Sequence, residues 1–111
     1  MTPIRNCLVA LGLTASLPVA NAQVNVDAAK ALAEKHLCLA CHRIDEKLVG
    51  PAYRDVAKKY HGITGAQDTL IAKVRKGGKG VWGTVAMPPA TNASDEDLKA
   101  ILGWILSLPG R

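Results

Sequence analysis

Cys38-Leu39-Ala40-Cys41-His42 is the stretch on which the fold of this chain turns. Two thiols three positions apart, followed at once by an imidazole, form C-x-x-C-H, the attachment signature of a c-type haem. Thiols one helical turn apart can each add to one of the two haem vinyl groups. His42, the next residue, then lies under the iron and can ligate it. Two other chemistries use similar residues. A dithiol redox pair belongs beside a βαβ pattern, and no segment of this chain alternates with period two. A zinc site needs four ligands, whereas Cys38, Cys41 and His42 supply three and no second C-x-x-C follows.

Upstream of the motif, Arg5 precedes an apolar stretch, Leu8 to Val19, and then Ala20-Asn21-Ala22. A positive start, an uncharged middle and an A-x-A site read as a secretory signal peptide over 1–22, leaving 23–111 as one domain. The apolar run is about a dozen residues, short of the roughly 20 that a spanning helix needs, so no membrane span is expected. Cys7 leaves with the leader, and the exported chain keeps one close cysteine pair and no disulfide framework.

The full chain has 111 residues and a formal net charge of +5. Hydrophobic residues make up 49% and charged residues 21%, the balance of a globular domain. No run of like charges exceeds three residues, so the mild basic excess points to acidic protein partners and away from nucleic acid. Aromatics are scarce, with Tyr53, Tyr60, Trp82, Trp104 and no Phe. A small core without large rings must pack aliphatics closely or borrow bulk from a cofactor.

Helical spacing accounts for most of the exported part. Val26, Ala29, Ala33 and Leu37 place a helix from about Asn25 to Leu37, with Asn25 as N-cap. Tyr53 to Tyr60 forms a second helix, with Tyr53, Val56, Ala57 and Tyr60 on one face, ended by His61-Gly62. Ala66 to Lys76 forms a third, with Leu70, Ile71 and Val74 inward, stopped by Gly77-Gly78. Ser94-Asp95-Glu96-Asp97 opens a last helix whose stripe is Leu98, Ile101, Leu102, Ile105 and Leu106. The fold class is therefore all-α, with about four helices.

Residues 77–93 lack periodicity and hold four glycines and Pro88-Pro89. Loops above about 12 residues are uncommon in compact domains and usually functional. Met87 lies in this loop and is the only methionine left once the leader is removed. Met and His are the usual second ligands of electron-transfer haems, which makes Met87 the candidate sixth ligand. A core Met is the competing reading. His36, on the first helix, and His61, beside Gly62, are the other donors, and both are expected at the surface.

Together these pieces resemble a family: the small bacterial class I cytochromes c with a single haem, of the cytochrome c-551 type. The resemblance rests on Cys38-Leu39-Ala40-Cys41-His42, Val49-Gly50-Pro51-Ala52-Tyr53, Gly80-Val81-Trp82-Gly83, Met87-Pro88-Pro89 and the terminal helix with Trp104. It covers essentially all of 23–111. It implies helices wrapped around one haem c joined through Cys38 and Cys41, with His42 and Met87 as axial ligands. It also implies that the Pro51 carbonyl accepts from His42 Nδ1–H, that the Trp82 indole reaches a haem propionate, and that Lys73 is an electrostatic partner there. The first and last helices should cross, with Ala33 and Leu37 near Trp104 and Ile105. The chain departs from the family pattern at Ala90, where relatives often carry an Asn that donates to the ligand sulfur. Asn92 is the nearest substitute.

Two protein ligands on iron leave no open position, so the expected function is one-electron transfer in the periplasm between respiratory complexes, not catalysis. Lys35, Lys47, Lys73, Lys76 and Lys79 are candidates to steer a monomer toward acidic redox partners. Two alternatives remain: a haem redox subunit of a periplasmic dehydrogenase, and a weak peroxidase or gas sensor if the Met ligand is labile.

Overall fold

The computed structural model describes residues 10–18 and 24–110. The signal-peptide reading falls largely on residues outside this range. Residues 10–18 form no secondary structure and are exposed. The helices are α1, Val26–Lys35; α2, Tyr53–Tyr60; α3, Ala66–Lys76; and α4, Asp95–Ser107, with a 3₁₀ turn at Cys38–Ala40. There is no strand among the described residues, and the chain is all-α.

Capping chemistry fixes the helix starts. The Asn25 side chain accepts from the Ala28 amide at 3.0 Å at the head of α1. Ser94 Oγ accepts from the Asp97 amide at 3.1 Å at the head of α4. Each of these bonds satisfies an amide that would otherwise lack an intrahelical partner. Three acids in the first turn of α4 complement its dipole.

The end of α1 departs from the expected helix. Apolar spacing carried the helix to Leu37, but α1 stops at Lys35 and Leu37 takes a left-handed conformation with φ 60°. Its side chain is 74% exposed rather than packed near Trp104. The chain must turn sharply there to begin the Cys38–Ala40 turn, and that demand overrides the period. Val26 is also exposed, because it precedes the face that meets α4.

The last helix is the hub, packing against α1, α2 and α3. Ala29 and Ala33 are fully covered, and their small side chains let α1 approach α4 closely. Trp104, 2% exposed, meets Tyr53 of α2 edge-on at 5.6 Å between ring centroids. This is a preferred aromatic geometry. Val56, Leu70, Ile101, Leu102 and Ile105 complete the core.

Polar side chains tie the ends together. His36, expected at the surface, is only 13% exposed, and its Nε2 lies 2.8 Å from Asp97 Oδ2, joining the end of α1 to the start of α4. That hydrogen bond holds the Asp97 carboxyl below its ordinary range. The Arg75 guanidinium of α3 donates to Asp95 and to the Ala93 carbonyl, and it likewise lowers the Asp95 carboxyl. His61 is exposed, as expected.

Candidate functional site

Between the helices and the irregular segment 77–93 lies a cavity of about 650 Å³. Cys38, Cys41 and His42 form part of its wall, and Met87 another part. Apolar side chains from all three later helices, among them Val56, Leu70, Leu98 and Ile105, line the rest. Pro51, Lys73 and Trp82 also border it, so the structure brings every sequence-predicted site residue to one place. Lys47 and Lys79 border it too, whereas Lys35 and Lys76 do not.

His42 is held on several sides. Its Nδ1 lies 2.8 Å from the Pro51 carbonyl, so Nδ1 carries the proton and donates. Nε2 keeps its lone pair free. The Tyr53 ring stacks on the imidazole with centroids 5.2 Å apart and planes 22° apart. Gly50 presses backbone against the same ring: a Cβ placed there would stand 2.8 Å from Nδ1 and 2.9 Å from Nε2. No side chain fits at position 50 without moving the imidazole. Glycine is required there for close approach, a need that the single sequence does not announce.

Cys38 and Cys41 are half-buried and are not paired in a disulfide. Burial pushes the Cys38 thiol up, so it stays protonated at neutral pH. Burial also raises the Tyr53 phenol, and the neighbouring Cys38 adds to that shift.

Met87 is positioned by backbone rather than by side chains. Its amide donates to the Gly78 carbonyl at 2.8 Å, and the Gly78 amide donates back at 3.0 Å. The Ala90 amide donates to the Val74 carbonyl at 2.9 Å. Gly77, with φ +65°, lets the chain leave α3 directly against Met87-Pro88-Pro89, where a Cβ would clash with backbone. The loop is thus pinned at its base to the end of α3, and residues 79–86 project as a tip. Ala90 offers no side-chain donor, and Asn92 is exposed.

The donor set suits a covalently held haem. Two thiols and an imidazole with free Nε2 share an apolar hollow with a thioether. Among the described residues, no group of three or more His, Cys, Asp or Glu is placed to hold a metal ion.

The cytochrome c family model matches residues 26–109. This chain belongs to the cytochrome c family. It is 52% identical over 77 residues to cytochrome c-551 of Allochromatium vinosum, covering 69% of this chain and 82% of that protein. It is 53% identical over 77 residues to cytochrome c-552 of Hydrogenobacter thermophilus, covering 69% and 78%. The crystal structure of wild-type Nitrosomonas europaea cytochrome c552 superposes with a TM-score of 0.69 at 47% identity, covering 71% of this chain and 98% of that one. These similarities place this cytochrome c among the small class I proteins of the c-551 type, haem-based electron carriers with one covalent haem c. Among the described residues, no helix is long and apolar enough to cross a membrane.

Proposed function

We propose that this cytochrome c is a soluble, exported carrier that moves single electrons between periplasmic respiratory proteins. In this reading Cys38 and Cys41 are the thioether anchors, and His42 and Met87 are the axial ligands. The observation that carries it is the placement of His42 and Met87 on the wall of one apolar cavity, each fixed by hydrogen bonds of its own. The haem iron supplies a one-electron couple.

The side chains decide how that couple is used. Pro51 holds His42 in the tautomer that presents Nε2 and raises its donor strength. A thioether opposite an imidazole favours the reduced state and raises the potential. The apolar lining acts in the same direction, because a low-polarity surround disfavours the extra positive charge of the oxidised centre. Lys47, Lys73 and Lys79 give the cavity rim a positive field that attracts acidic partners and weakens with salt. Trp82 and Lys73, both bordering the cavity, are the residues that would meet the haem propionates. Such encounters are small and transient, and a monomer suffices for them. The leader at 1–22 directs export.

The test is the reduced native protein under carbon monoxide at neutral pH. An unchanged spectrum supports a closed His/Met site. Ready binding would instead favour a peroxidase or gas sensor.

A further inference from the structure

The tip of the irregular segment is fastened to the helical framework at one point. Gly78 and Met87 close its base, and Gly80 N–H donates to the Gly83 carbonyl at 2.8 Å within the tip itself. Among the described residues, no hydrogen bond or ion pair joins residues 79–86 to any helix. One charged contact does: Lys59 of α2 places its ammonium 5.5 Å from the centre of the Trp82 ring. Lys59 is exposed and lies about one turn after the buried Val56 on α2. Trp82 is 41% exposed and borders the cavity.

From this geometry we infer that Lys59 is a positioning residue of the electron carrier. Its ammonium holds the Trp82 indole against α2 and so keeps the tip 79–86 closed over the cavity on the Met87 side. Tryptophan is the ring best suited to this contact, and the attraction needs the cation, not merely a long side chain. The tip contains Gly80 and Gly83, the one hydrogen bond between them and little else to hold it. Losing one fastening therefore changes its opening equilibrium directly. The inference rests on the reading that the cavity houses the haem, but its primary readout does not depend on Met87 being a ligand.

The experiment compares Lys59→Gln, Lys59→Arg, Trp82→Phe and the Lys59→Gln/Trp82→Phe double variant with wild type, all as holoproteins. Amide hydrogen exchange is measured peptide by peptide. For Lys59→Gln, exchange across 79–86 should accelerate about two- to fivefold, the range expected from loss of an exposed cation–π contact. Exchange in α4 should not change. Lys59→Arg should restore the wild-type rate. In the double variant the two effects should fall short of additive, since both act on the same contact, which Lys59→Gln removes and Trp82→Phe weakens. The reduction potential supplies a second readout: it should fall in Lys59→Gln and recover in Lys59→Arg, because a cation close to the cavity opposes oxidation. Unchanged exchange at 79–86 in Lys59→Gln, or full additivity in the double variant, overturns the role of Lys59. Carbon monoxide binding by the wild type would overturn Met87 ligation alone, and the exchange data would still decide the strap.

Discussion

Replacing Gly50 by alanine sets two physical effects against each other. Gly50 is not among the glycines with positive φ, so alanine fits its backbone without strain. On chain entropy alone, such a change stabilises by about 0.4–1 kcal/mol, because the unfolded state loses freedom. Packing predicts the reverse. The new Cβ would stand 2.8 Å from His42 Nδ1 and closer still to Cε1. Ordinary carbon contacts begin near 3.5 Å, so the ring must retreat by about 1 Å. Tyr53 stacks on that ring and Pro51 accepts from it at 2.8 Å, so retreat strains both contacts. Overpacking of this kind costs about 1–3 kcal/mol, and a weakened hydrogen bond about 1 kcal/mol more. After the entropic gain, the net is destabilisation of about 1–3 kcal/mol. For a domain of this size that lowers Tm by roughly 5–20 °C. Thermal unfolding of the holoprotein, followed by visible absorbance and far-ultraviolet circular dichroism, measures it. The reduction potential should shift as well, since the atom pushed hardest, Cε1, adjoins Nε2, the nitrogen proposed to face the iron. A variant with wild-type or higher Tm and an unchanged potential would refute the claim that Gly50 holds the imidazole.

Three further outcomes follow from other parts of the molecule. Met87→Ala should open one side of the iron, lower the potential and admit carbon monoxide to the reduced protein; an unchanged potential would remove Met87 from the ligand set. Asp97→Asn should be less stable than wild type at neutral pH, because the His36 hydrogen bond holds the Asp97 carboxyl below its ordinary value. That stabilisation is present above the unfolded carboxylate pKa of about 3.9 and is lost as pH falls through the lower folded value, so urea titrations of the two proteins should converge in acid. A stability gap that persists unchanged at the lowest pH would contradict it. Trp104→Ala should cost about 3–5 kcal/mol in denaturant unfolding, since it removes the largest fully buried side chain of the core, and a loss under about 1 kcal/mol would show that α4 packs without it.

Local chemistry was legible in the sequence and long-range chemistry was not. The bounds of α2, α3 and α4 follow from caps, glycine stops and apolar spacing, each written within a few residues. So do Cys38, Cys41 and His42, whose roles depend on one another's spacing, and Met87, which stood out by elimination. The end of α1 escaped because Leu37 fits the helical period while the turn into Cys38 forbids it. His36 escaped because its partner Asp97 lies 61 positions away. The grip of Gly50 on His42 escaped because a glycine beside a proline reads as a turn wherever it lies.

The scarcity of aromatic residues takes its meaning from the cavity. Helices that bury Trp104 in their core still enclose a cavity of about 650 Å³, walled largely by aliphatic side chains with Tyr53 at its edge. Close-packed interiors do not tolerate voids of that size, so the fold is complete only when something large and apolar fills the space. A covalently stitched haem meets that need. It also explains why the irregular segment is tied down by a few contacts at its ends, the backbone pairing of Gly78 with Met87, the Ala90 amide on the Val74 carbonyl and Arg75 on the Ala93 carbonyl: the rest of its packing comes from the group it encloses. Stability and electron transfer thus rest on the same contacts. Substitutions that loosen the 77–93 segment should therefore move the reduction potential and the unfolding temperature together, whereas substitutions confined to the α1–α4 face should move the unfolding temperature alone.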